Sequence, residues 1–174
     1  MSKPITREEF AAVSVKTYEV LSGAAAPAFK GTNTFRDTSD AEVLKAYNLG
    51  ITQGVSNTAF EPNTLINREQ AATMLTRVYK KFALSGWTPN TDASYDSQFK
   101  SMFTRPTPFA DDDKISDWAK DSVYFMNAKG LIMGIGNNMF APKATTKSEE
   151  ITGYAQATRE QALLIAARMV KKMK

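Results

Sequence analysis

A short pattern, Thr or Asn followed by Arg, Glu and then Glu or Gln, occurs three times in this chain: Thr6-Arg7-Glu8-Glu9, Asn67-Arg68-Glu69-Gln70 and Thr158-Arg159-Glu160-Gln161. Each copy precedes an apolar run with helical spacing. The first residue can accept a hydrogen bond from a first-turn N–H, and the Glu or Gln three positions on can reach back to the cap. One such capping box is common by chance. Three copies, each with Arg directly after the cap, point instead to an internal repeat.

The rest of the chain reads as helices joined by glycine- and proline-marked connectors. The spacing predicts a helix from Thr6 to about Leu21, with Phe10, Val13, Tyr18 and Leu21 inward and Ala11, Ala12 and Val20 widening the face. Residues 22–33 read as a loop. Ser39 or Asp40 caps a shorter helix with Val43, Leu44, Tyr47 and Leu49, ended by Gly50 in the left-handed conformation. A further helix runs from Asn67 to about Phe82. Residues 85–108, with Trp87, Pro89, Pro106 and Pro108, read as a linker with a turn or two of helix near 95–103. The next helix spans about Ser116 to Lys129, with Trp118, Val123, Phe125 and Met126 as apolar anchors. Residues 145–156 interrupt the pattern with a short helix near 148–153, and the last helix runs from Thr158 to about Met173.

Two stretches share a longer series of landmarks. One reads Phe35, Asp37, Gly50-Ile51, Gly54, Phe60, Pro62, Asn67-Arg68-Glu69, and the other Phe109, Asp111, Gly130-Leu131, Gly134, Phe140, Pro142, Thr158-Arg159-Glu160. The organisation is therefore a helix–loop–helix unit used repeatedly. Residues 1–30 are the second half of a first repeat, 34–84 the second, 85–108 a linker, and 109–174 the third with an insertion at about 145–156.

This order of landmarks resembles the S-layer homology repeat, which reads Phe-x-Asp, a helix with a Trp, Gly-Ile/Leu-x-x-Gly, Phe-x-Pro, and then Ile-Thr-Arg-Ala-Glu opening a second helix. The resemblance implies one domain over 1–174 and a mainly α fold of tandem helix–loop–helix repeats. It implies a pseudo-threefold arrangement, with a central helical bundle and loop prongs separated by grooves. It also implies a non-catalytic module that binds an anionic secondary cell-wall polysaccharide, often one carrying pyruvate ketals, at an extracellular location in the bacterial cell wall or S-layer. By the same resemblance Arg7, Arg68 and Arg159 are the polymer-facing cations. Gly54, Ser56 and Asn57, and Gly134, Asn137 and Asn138, shape the groove walls. Three departures stand out. Asn67 replaces the usual Thr, the second unit has Val43-Leu44 where the family has its Trp, and the first unit lacks a first helix and glycine loop. A second reading follows from these: a structural or S-layer-like module with degenerate grooves that serve protein contacts, including self-association that completes the first repeat.

Physical chemistry supports the arginine assignment. A ketal carboxylate suits the planar fork of Arg, which donates two parallel hydrogen bonds. A helix start adds unpaired N–H groups and the positive dipole end. Other chemistries are disfavoured. The 174 residues include no Cys and no His, which removes thiol nucleophiles, Cys/His zinc sites and His-based triads. Asp111-Asp112-Asp113 lacks the glycine and glutamate that a calcium loop needs at its later positions, where Ser116 and Ser122 stand, and reads as a capping or solvated acidic turn. Glu8, Glu69 and Glu160 occupy equivalent positions, so they do not supply an acid and a base in different environments. No catalytic residues, metal or cofactor are expected. The net charge of +4 is spread along the chain apart from the last turn, without the dense basic stripe of a nucleic-acid recognition helix. No apolar run reaches the ~20 residues needed to span a bilayer, and the N-terminal residues lack a signal-peptide core.

Overall fold

The computed structural model describes residues 3–174 and is mainly α-helical. Seven α-helices are found among the described residues: α1 (Arg7–Ser22), α2 (Ala41–Asn48), α3 (Arg68–Ala83), α4 (Asp96–Ser101), α5 (Asp117–Ala128), α6 (Lys147–Thr152) and α7 (Arg159–Met173). Strand pairing among them is limited to isolated bridges.

The long helices begin where their caps dictate. The Glu9 N–H donates to Thr6 Oγ1 at 3.2 Å, and the Thr6 N–H donates back to Glu9 Oε2 at 3.0 Å. Asn67 forms the same reciprocal pair with Gln70, as does Thr158 with Gln161. Each pair satisfies two N–H groups that a helix start would otherwise leave open. Asn67, which departs from the family pattern, caps as Thr does.

The residues just before these caps form a closed cycle. The Ile5 N–H donates to the Ala157 carbonyl (3.0 Å), the Ala157 N–H to the Ile66 carbonyl (2.9 Å), and the Ile66 N–H to the Ile5 carbonyl (3.0 Å). A second set runs the opposite way round: the Arg7 N–H donates to the Thr64 carbonyl, the Arg68 N–H to that of Ala155, and the Arg159 N–H to that of Lys3. The starts of α1, α3 and α7 are thus gathered at one place. From there α1 packs against both α3 and α7, while α2 lies on α1 and α5 lies on α3. The second helices of the first two units, α1 and α3, therefore each carry the first helix of the next.

The buried set joins all of this into one core that includes Phe10, Val43, Ile51, Phe60, Leu75, Phe125 and Phe140. Residues 85–108, read as a linker, are folded into it. Trp87 and Phe99 are each 1% exposed. The Trp87 indole N–H donates to Asp92 at 2.7 Å, and Phe99 packs on Phe125 with ring centroids 5.0 Å apart. A buried indole keeps its polar tip satisfied in this way.

Trp118 differs from its expected role as a core anchor and is 59% exposed. The buried residues of α5 are Ala119, Ser122, Val123, Tyr124, Phe125 and Met126; Trp118 shares the helical spacing of Ser122 and Phe125 but stands in the first turn, ahead of the buried set. Val20 is 45% exposed for a comparable reason, since the α1 stripe runs through Phe10, Ala11, Ser14, Val15 and Leu21. No helix among the described residues is long and apolar enough to cross a membrane.

Candidate functional site

Two of the three repeated arginines are built into the fold in the same way. Arg7 Nε donates to the Phe60 carbonyl at 2.9 Å and Nη2 to the Gln53 carbonyl at 3.1 Å, with the guanidinium 4.8 Å from the Phe60 ring centre. Arg68 Nε donates to the Phe140 carbonyl at 2.9 Å and Nη2 to the Met133 carbonyl at 2.7 Å, with the Phe140 ring at 4.9 Å. Each is 9% exposed. Burial lowers both pKa values, opposed by Glu61 and Asp37 around Arg7 and by Asp111 and Tyr154 around Arg68. Arginine stays charged despite this. Each one ties the start of a second helix to the next unit's glycine loop.

Those loops are held from the other side by the Phe-x-Asp carboxylates. Asp37 accepts from the Phe60 and Glu61 N–H groups at 2.7–3.0 Å, and Asp111 accepts from the Phe140 and Ala141 N–H groups at 2.8 Å. Asp111 is buried, so it is not the solvated turn or helix cap that the acidic run suggested. The carboxylates brace Glu61 and Ala141, which stand at φ 59° and 56°, an unfavourable region for residues with a Cβ. Gly54 and Gly134 are steric requirements. A Cβ on Gly54 would lie 2.4 Å from the Ser56 carbonyl oxygen, and one on Gly134 would lie 2.7 Å from that of Met139.

Arg7 and Gly54 line an open groove of about 370 Å³ together with Gln53, Thr73, Arg77 and Trp118. This brings residues of α1, α3, α5 and the first glycine loop to one place. Arg77 has its pKa lowered by burial, with Asp92 opposing. The groove therefore presents two guanidinium groups and an exposed indole, a set suited to an anionic group on a sugar ring.

Sequence reasoning missed Arg77. Its signal was a polar stripe on α3, Gln70, Thr73 and Arg77, at the spacing of one helix face. Trp118 was noticed and read as a core anchor, whereas it is exposed.

The other expected residues are distributed differently. Ser56 and Asn57 line a neighbouring cavity of about 350 Å³ with Thr34, Phe35 and Tyr47, and Gln53 borders both cavities. Asn137 and Asn138 form the two central positions of a tight turn between Gly136 and Met139, with φ of 49° and 53°. Asn tolerates that conformation well. The Asn138 side-chain amide donates to the Pro108 carbonyl at 3.1 Å.

Arg159 stands apart. Its side chain is 50% exposed and it pairs with Glu9 through Nε (3.2 Å) and Nη2. Glu9 has its pKa lowered, chiefly by the Thr6 N–H and then by Arg159.

The glutamates of the pattern also join units. Glu69 accepts from the Ser116 N–H and hydroxyl at the start of α5, both at 2.9 Å, and Lys143 lies 3.3 Å away. Glu8 accepts from the Thr38 hydroxyl at 3.4 Å, just ahead of α2.

Comparison with known proteins agrees with this architecture. The chain is 28% identical over 149 residues to an amylopullulanase of Thermoanaerobacterium thermosulfurigenes, and 29% identical over 154 residues to the exoglucanase XynX of Acetivibrio thermocellus. Each alignment covers 86% of this chain, but only 7% and 12% of the respective relative. An endoglucanase of a Bacillus species (strain KSM-635) is 29% identical over 109 residues, covering 63% of this chain and 10% of that protein. The chain thus corresponds to a small part of each of these large proteins. The S-layer homology domain family matches residues 37–72 and 108–150. S-layer homology domains are non-catalytic modules that anchor surface enzymes to the cell wall, and this chain carries S-layer homology repeats at those two stretches, which hold the Asp37 and Asp111 carboxylates and the Gly54 and Gly134 loops.

Proposed function

We propose that this chain is a cell-wall anchoring module that holds an anionic secondary cell-wall polysaccharide, with Arg7, Arg77 and Trp118 as the ligand-facing residues of its best-formed groove. The observation that carries this reading is the meeting of two guanidinium groups and a 59% exposed indole in one open groove. Arg7 uses Nε and Nη2 on loop carbonyls, which fixes its fork, and its remaining N–H groups are those that can reach a carboxylate. A pyruvate ketal fits this chemistry, because its carboxylate meets the arginines while the sugar face lies on the indole. Arg68 supports the groove of the next unit with the Gly134 loop and the Asn137-Asn138 turn, and Arg159 a third.

The closed cycle of hydrogen bonds through Ile5, Ala157 and Ile66 supports a pseudo-threefold arrangement of the units, with the glycine loops as prongs. The proposed divisions are residues 1–30, 34–84 and 109–174, with 85–108 packed between the last two. An extracellular, wall-bound location follows from this reading.

Binding to purified Gram-positive cell-wall sacculi, before and after chemical removal of the secondary polymer, tests the proposal. Retention is expected only by the untreated walls. Trp118→Ala is expected to weaken retention about 5- to 10-fold, on the order of 1 kcal/mol of ring contact, with an unchanged melting temperature because the ring is exposed. Equal retention of Trp118→Ala, Arg77→Ala and the parent chain would refute the groove assignment. The reading as a protein-contact module that self-associates draws on one observation, an apolar groove between α1 and α7.

A further inference from the structure

The Arg7 groove has a neighbour that the repeat pattern does not account for. A cavity of about 290 Å³ opens between the end of α2, the last turn of α3 and the start of the 85–108 segment. Thr52 and Gln53 line both cavities. On α3, Arg77 borders the first and Lys81 the second. These two residues are one helical turn apart, about 6 Å along the helix surface. Phe29, Lys81, Thr88 and Asn90 line the second cavity and lie outside the stretches 37–72 and 108–150 that match the family. The cavity is therefore a feature of this chain and not of the shared landmarks. Its outer wall is firmly seated. A Cβ on Gly50 would lie 2.4 Å from Pro89 Cδ, and Asp92 accepts from both the Trp87 indole and Lys80.

We infer that this cavity is a second subsite, which holds an uncharged sugar residue next along the polymer from the acidic one in the Arg7 groove. The inference rests on the reading of that groove as a glycan site. Thr52 points to a ligand here. It is 3% exposed, and its hydroxyl has no hydrogen-bond partner among the described residues without being sealed from solvent. Buried hydroxyls are ordinarily paired, and the space that reaches this one is that of the two cavities Thr52 lines. The side-chain amides of Asn48, Gln53 and Asn90 and the Tyr47 hydroxyl are likewise unpaired among the described residues. Amides and hydroxyls both donate and accept, as sugar hydroxyls require. Tyr47, set edge-on to Phe29 with ring centroids 6.1 Å apart, adds an aromatic surface for the C–H groups of a sugar ring. No carboxylate lines this cavity, and its one cation, Lys81, donates to the Trp87 carbonyl at 3.4 Å. The charge-recognising guanidinium groups all stand in the first cavity, so the ring in the second is the neutral one.

The test is calorimetric titration of the full chain with two fragments of a pyruvylated secondary wall polymer, the ketal sugar alone and the ketal sugar with its neutral neighbour. The two-ring fragment is expected to bind about tenfold more tightly, through hydrogen bonds and ring contact in the second cavity. In the double variant Asn48→Ala, Asn90→Ala that advantage should fall below about twofold, while the ketal sugar alone binds as it does to the parent. Both side chains are exposed, so the melting temperature should not change. Thr52→Val, which keeps the shape and removes the unpaired hydroxyl, should also reduce the two-ring advantage without lowering the melting temperature. Equal affinity of the two fragments for the parent chain would overturn the inference and leave the Arg7 groove as a one-ring site. An advantage that persists in the double variant and in Thr52→Val would overturn it as well, because the second ring would then lie elsewhere. Binding of neither fragment would overturn the reading of the Arg7 groove and this inference with it.

Discussion

At the scale of single residues, similar bonding has different consequences according to burial. Asp37 and Asp111 both brace a left-handed residue before a proline through backbone N–H groups, but Asp111 is buried and Asp37 is exposed. Asp111→Asn replaces one of two accepting oxygens with a donor facing an N–H. It is expected to cost about 1–3 kcal/mol, read as a lower melting temperature, and the same change at Asp37 should cost less because water can take over. Acid stability follows from the carboxylates with lowered pKa. Asp112 is held down by the Tyr124 hydroxyl and Lys120, Asp37 by the Phe60 and Glu61 N–H groups, and Glu9 by the Thr6 N–H and Arg159. A lowered folded pKa means that the unfolded chain binds protons first, so their contribution is complete above the ordinary values of 3.8 and 4.5 and fades as pH falls through the folded ones. Denaturant melts should therefore show stability nearly constant from pH 7 to about 5 and declining below about 4.5. Asp37 and Asp111 were legible in the sequence as landmarks but not as braces, since their partners stand more than twenty positions away.

Elements were legible wherever their signals are local. All three capping boxes, the short helix inside the 145–156 insertion and the glycine stop after α2 follow from contacts within a few positions, which a sequence displays directly. Asn67 offers a direct check. Asn67→Thr should leave stability within about 0.5 kcal/mol and Asn67→Ala should lower it by about 1 kcal/mol, measured by denaturant melts. Equal losses would mean that the side chain acts elsewhere. What was not legible depended on which neighbour covers which face. Trp87 sits among prolines and polar residues, yet it is buried because Asp92 satisfies its N–H and α3 lies beneath the segment. Trp118 is in helical register with the buried Ser122 and Phe125, yet in the first turn of α5 its ring is left exposed. The candidate groove was half-read for the same reason: Arg7 and Gly54 came from the repeat, whereas Arg77 and Trp118 join them only through packing of α3 and α5.

Across the whole molecule, the links between units run through the backbone and through buried side chains. Arg7, Arg68, Glu8 and Glu69 each connect a second helix to the following unit, and residues 85–108 add Trp87 and Phe99 to the shared core. The repeats should therefore unfold together. Native-state hydrogen exchange is expected to give Ile5, Ile66 and Ala157 the same opening free energy, equal to that of global unfolding. Separate transitions for 34–84 and 109–174 would contradict this. The cycle through those three residues also sets a stoichiometric limit. Stacked-repeat proteins leave an open end and grow by adding units, whereas head-to-tail contacts that return to their origin form a finite set. Here the third donor finds the first acceptor, so no carbonyl remains to receive a fourth member. A longer array of such units would have to begin a new closed triad rather than enlarge this one.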